Sequence, residues 1–218
     1  MRKHILFAAL IATVLSLAAF GFVKSGPGSV AAPPPQAENA DPHSLREKAR
    51  SVGQLVIYAS PNGVKRFDDA AALTRQSALV VTGTVEKQAA HFHSLEERSI
   101  VTDFKVRVKD VLKGAALAGG HITVREPGGL VQFEDGTSAD VRMPEYWRSP
   151  AAGKSYAFFL KQKGAVYMLF AGPQGLFELS PAGRVLPQAR AEDALTQKYN
   201  GKRSADFFEE IRQAAQQP

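Results

Sequence analysis

The residues best suited to chemistry lie in one short stretch, His91-Phe92-His93, followed by Glu96 and Glu97. In an extended chain, side chains two apart point to the same side, so both imidazoles can reach one metal ion. A set of two histidines and a carboxylate, with His121 at the start of another apolar run, suits Zn or Cu. The competing reading is a solvated hairpin tip, because the stretch lies between two strand-like segments. A second cluster, Tyr146-Trp147-Arg148, sits between Pro144 and Pro150 and holds the only tryptophan of the chain. Tyr, Trp and Arg are the residue types that anchor interfaces and stack on sugars. This loop is the expected contact for a ligand or partner if the indole is exposed, and a plug for the end of the fold if it is not. A third feature is the row Lys105, Arg107 and Lys109, which falls on one face of an alternating segment. Such a face can meet phosphates. It lacks interleaved aromatics for base stacking, so it reads as a solvated face and no nucleic-acid partner is expected.

Other chemistries are excluded by what the chain lacks. It has no HExxH, GxSxG, P-loop or strand-linked GxGxxG motif. It has no cysteine, hence no disulfide, thiolate metal site or cysteine nucleophile. No cofactor is expected, and the chain reads as a non-catalytic module. Two alternatives stay open: an envelope metal-binding protein using His91 and His93, and a hydrolase with dispersed site residues.

The 218 residues are 44% hydrophobic and 22% charged, which is ordinary for a globular chain of about one domain. The net charge of +6 is inflated by Arg2, Lys3 and Lys24; without them 24 basic residues face 21 acidic ones. A positive start followed by the uncharged run Ile5–Val23 marks residues 1–24 as a signal peptide or signal anchor. The run is long enough to span a bilayer. Two outcomes fit: cleavage after the small-x-small site Ser29-Val30-Ala31, or retention as a single anchor through residues 5–23. Both place the rest of the chain outside the cytoplasm, periplasmic in a bacterium. Residues 25–40, with four prolines and two glycines, read as a flexible linker.

Beyond the linker, residues 41–77 read as a helix–strand–helix extension. Ser44 and Glu47 have capping-box spacing, Leu55–Ala59 reads as a strand, and a second helix follows Asp68-Asp69 within 67–76. Residues 78–188 carry seven or eight short strands, which predict a small closed or nearly closed antiparallel barrel or sandwich. The longest runs from Arg98 to Leu112, with Ile100, Thr102, Phe104, Val106 and Val108 on one face and a phase slip at Asp110. His121–Arg125 is another, ended by Pro127-Gly128-Gly129. Leu130–Phe133 and Ala139–Met143 flank the turn Glu134-Asp135-Gly136. The segments YAFFLK and VYMLF are apolar on both faces and require a cover. Residues 189–218 supply one: a short helix over 191–199, then a helix capped by Ser204 with Phe207, Phe208, Ile211, Ala214 and Ala215 on one stripe.

Three stretches, SALVVTGTVEK, TDFKVRVKDVLKG and GKSYAFFLKQKG, resemble strands of the netrin-like domain, the OB-type barrel of tissue metalloprotease inhibitors. The likeness spans about 100 residues, from Ala78 to Leu179. It implies an OB-like barrel built for binding rather than catalysis, of a cysteine-free kind seen in exported bacterial domains. The family's disulfides and its zinc-gripping N-terminal cysteine are absent, so metalloprotease inhibition does not carry over. The expected partner is a protein or another envelope component.

Overall fold

The computed structural model describes residues 43–217 apart from 62, 95 and 117. The expected export segment and linker lie outside the described residues. No helix among the described residues is long and apolar enough to cross a membrane.

The fold is mainly β. In chain order its elements are Leu45–Val52 (α1), Gln54–Tyr58 (β1), Ala70–Gln76 (α2), Leu79–Phe92 (β2) and Ile100–Lys113 (β3). His121–Pro127 (β4), Gly129–Gln132 (β5), Ser138–Arg142 (β6), Ser155–Lys163 (β7) and Val166–Leu169 (β8) follow. After a 3-10 turn at Gly172–Gly175 come Leu176–Leu179 (β9), Val185–Pro187 (β10), Ala194–Tyr199 (α3) and Ser204–Gln216 (α4).

Local chemistry sets the helix boundaries. The Ser44 side chain accepts the Glu47 N–H at 3.1 Å, so α1 starts where the capping-box spacing predicts. Asp69 caps α2 by accepting the Ala72 N–H at 2.7 Å, which places it before the first turn rather than in it. Helix α4 departs from expectation: the cap position belongs to Arg203, not Ser204. The chain is extended through Arg203, which bridges to Arg184, and the Ser204 N–H is taken by the Gly183 carbonyl at 2.9 Å. The Arg203 guanidinium instead grips Asp206 in the first turn.

Seven strands form one sheet in the order β10-β9-β7-β2-β3-β4-β8, and β8 also pairs with β7. The β4–β8 pair is parallel; the others in this sheet are antiparallel. One edge of β7 pairs with β2, while the other is shared between β9, at Tyr156–Phe158, and β8, at Leu160–Lys163. The pairing therefore runs β7-β2-β3-β4-β8 and returns to β7. Along β3 the alternation is as read, with Phe104, Val106 and Val108 buried and Lys105, Arg107 and Lys109 exposed. The slip at Asp110 is realised as two register shifts that bracket it, leaving Lys109 and Leu112 without partners across the ladder. Thr82 Oγ1 donates to the Asp110 carboxylate at 2.9 Å between them.

The hairpin at 129–142 corrects the expectation of one continuous set of strands. It leaves the large sheet and joins β1 in a separate sheet, β1-β6-β5, with β1 and β6 parallel. Gly128 makes the exit: its φ is +89°, and a Cβ there would sit 2.6 Å from the Val141 carbonyl oxygen. The small sheet packs with α1 over Leu45, Ala49, Ile100, Phe133 and Ala139.

Strand β7 is buried on both faces, as its composition requires. Tyr156, Phe158 and Leu160 face Val81, Phe104, Val106 and Val124. Ala157 and Phe159 face α2 and α4 through Leu73, Phe207 and Ile211. The expected cover thus comes from the extension and the C-terminal helix together.

Candidate functional site

Strand β4 runs one pleat further than its sequence suggests. Val124 lies opposite Phe104 and Glu126 opposite Thr102, so the alternation that buries Val124 also buries Glu126. Glu126 is 1% exposed, and neither carboxyl oxygen has a hydrogen-bond partner among the described residues. Burial pushes this carboxyl up to about 7, because a desolvated carboxylate is disfavoured. The Ser149 hydroxyl and the Trp147 indole N–H lie close enough to oppose that shift in part, yet neither makes a well-formed bond to it. The Trp147 Nε1 is likewise buried and unpaired among the described residues.

The 144–150 loop is held from both ends. The Trp147 N–H donates to the Pro144 carbonyl at 2.7 Å, and the Ala151 N–H to the Tyr156 hydroxyl at 3.0 Å. The Arg190 guanidinium lies 3.8 Å from the centre of the Tyr146 ring, a cation–π contact. The indole lies against Gly172, where an added Cβ would be 2.9 Å from its ring carbon Cη2. Gly172 also has a φ of +57°, so glycine suits the position on both counts.

Of the predicted contact residues, Tyr146 and Trp147 are half-buried and Arg148 is exposed. The indole is therefore neither a free surface anchor nor a fully buried plug. It forms a wall shared by three cavities. The largest, about 510 Å³, is bordered by Glu126, Gln88, Thr102, Phe104 and Ser149 among others. The second, about 280 Å³, has Glu126 with Lys65, Arg125 and Lys161. The third, about 240 Å³, has Tyr146, Arg66, Gln174 and Arg190. Trp147 borders all three, and Glu126 the first two. An apolar cleft with a few converging polar groups and one perturbed carboxyl is the usual form of a ligand site.

Sequence reasoning missed Glu126, because Pro127-Gly128-Gly129 signals the strand's end just after it. Extending the period Ile122, Val124 by one step would have found it.

His91 and His93 do turn toward a common group, but that group is an arginine. Arg125 Nη2 is 3.4 Å from His91 Nε2, and Arg125 Nη1 is 3.4 Å from His93 Nδ1. Arg125 itself grips Asp103 through Nε at 2.6 Å and Nη2 at 2.7 Å, which raises the guanidinium and holds the Asp103 carboxyl below its usual range. The register that opposes Asp103 to Arg125 makes this pair. Among the described residues no group of three or more His, Asp or Glu side chains is placed to hold a metal ion. The basic row is partly neutralised by Glu86, which lies 3.4 Å from Arg107, 3.9 Å from Lys105 and 3.0 Å from His121.

No protein-family model matches the chain, and no curated protein matches it.

Proposed function

We propose that this chain is an exported or membrane-anchored, non-catalytic binding module built on an OB-type, netrin-like barrel. Its ligand site is the cleft between the end of β4 and the 144–150 loop. The barrel reading is supported by the meander β2-β3-β4, closed by a parallel β4–β8 pair and antiparallel β8–β7 and β7–β2 pairs. Export is supported by the positive start and the apolar run Ile5–Val23. The observation that carries the site is Trp147, the wall common to three cavities and the neighbour of a buried, unpaired carboxyl. Tyr146 and Arg148 flank it, and the ligand comes from a protein or another envelope component.

Trp147 is the only tryptophan, so its fluorescence reports on this cleft alone. Titration of the full-length chain with amines, carboxylates, short peptides and sugars is expected to give a saturable change in emission with at least one class. Tyr146→Ala should weaken that response severalfold. Ligands that bind by calorimetry without altering Trp147, or no binding from any class, would contradict the assignment.

Glu126 favours a second reading, a hydrolase in which this carboxyl acts as general acid or base. Turnover of chromogenic esters or glycosides that is lost in Glu126→Gln would select that reading. Its absence would leave the binding module.

A further inference from the structure

We infer that the 510 Å³ cavity over Glu126 binds a primary ammonium group carried on a short alkyl chain. The inference rests on the cleft proposed above as the ligand site and adds the chemistry of what enters it.

The strongest acceptor of this cavity is the Glu126 carboxyl, and the donors nearest it are the Ser149 hydroxyl and the Trp147 indole N–H. Both Glu126 oxygens are buried and unpaired among the described residues. Thr102 Oγ1 spends its proton on the Gly128 carbonyl at 2.7 Å, so it faces a ligand as an acceptor. Gln88 adds an amide oxygen, with its NH2 group beside it. An ammonium group has three donors and no acceptor, which complements the Glu126 and Thr102 oxygens. The remaining wall is apolar: Phe104, Pro127, Val141 and Met143 would line an alkyl stem. A buried carboxylate left unpaired is strongly unfavourable, and a cation brought to it removes that penalty.

The charged side chains nearest Glu126 are cations, and most of them are held by other groups. Within the same cavity the other ionisable side chain is Arg142, whose guanidinium is held by Asp140 at 2.6 Å. From β7, the Tyr156 phenol, whose oxygen accepts the Ala151 N–H, is shifted upward mainly by burial and in small part by the Glu126 charge. The smaller cavity, which Glu126 also borders, holds Lys65, Arg125 and Lys161. Lys65 is bonded to Gln76 at 2.6 Å and Arg125 to Asp103. An anion entering the larger cavity would instead meet a like charge once Glu126 ionises.

The test uses the full-length chain and Trp147 emission, with n-butylamine, n-butanol and butyrate as probes of nearly one size. n-Butylamine is expected to bind saturably, and the other two at least tenfold more weakly. Glu126→Gln, which keeps the shape of the side chain, should weaken n-butylamine at least tenfold. Affinity should rise about thirtyfold from pH 5.5 to pH 8, because the carboxyl must ionise to pair with the cation and burial sets that step at about 7. Nα-acetyl-lysine methylamide and 1,4-diaminobutane then separate the two sources of such a group, a lysine side chain of a protein and a free polyamine. Equal binding of butyrate or n-butanol, or an unchanged Glu126→Gln variant, would overturn the inference and leave the cleft standing. Loss of response to every class of probe would overturn both.

Discussion

Glu126→Gln is expected to raise stability at pH 8 by about 3 kcal/mol and to change it little at pH 5. The sign follows from linkage. Burial moves this carboxyl from an ordinary 4.5 up to about 7 in the folded chain. Between those values the folded protein binds a proton that the unfolded chain has released. Stability therefore falls as pH rises through this window, and above 7 the full penalty of the buried carboxylate is present. Glutamine has the neutral shape at every pH, so the variant lacks the slope. Carboxyls shifted the other way act elsewhere. Arg125 holds Asp103 down, and Thr137 with Arg50 holds Asp135 down to about 2. The stabilisation from such groups is present above the unfolded value of 3.8 and is lost only as pH falls below it. Urea unfolding of both chains at pH 5 and pH 8 makes the comparison. Two curves that stay parallel across this range would refute the buried, unpaired carboxyl.

Phe207→Ala is expected to destabilise the fold by about 4 kcal/mol, a large share of the total stability of an ordinary domain. Phe207 is fully buried and joins three elements in one aromatic cluster. Its ring centre lies 4.8 Å from that of Phe177, 5.3 Å from Tyr199 and 6.3 Å from Phe159. Tyr199 is tied in turn to Glu210 through its hydroxyl, which also accepts the Ala70 N–H at 3.0 Å. Truncating Phe207 opens a cavity where α4 meets α3, β7 and β9. The neighbouring Phe208 is only partly buried, and Phe208→Ala should lose about 1 kcal/mol. Denaturant unfolding of the two variants checks the contrast. Equal losses would mean that α4 does not pack through the stripe described.

The elements legible in the sequence are those specified by short-range chemistry. Ser44 and Glu47 place the start of α1, and the alternation from Ile100 to Val108 orients β3, because each depends on neighbours a few residues apart. The double-sided apolar pattern of β7 demanded a cover, and α4 provides part of it. The separation into two sheets was not legible. It depends on the parallel pairing of β1 with β6, more than 80 residues away, and on two glycines that turn the chain at the end of β4. The site divides along the same line. Residue type alone pointed to Trp147, but its position against Gly172 is a tertiary fact. His91 and His93 share a side as their spacing requires, yet the group they face is set by strand register. Glu126 was hidden because a charged residue beside Pro-Gly-Gly reads as a turn, whereas the pleat carries it inward.

The pairing of Trp147 with Glu126 is tested most directly by the indole N–H resonance of Trp147, followed by NMR from pH 5 to pH 8. One tryptophan gives one such signal, and its unpaired Nε1 is buried beside Glu126. A titration with its midpoint near 7 is expected in the native chain, and a flat profile in Glu126→Gln. A signal that is insensitive to pH in the native chain, or one that titrates equally in the variant, would contradict the claim that Trp147 and a buried Glu126 form one site.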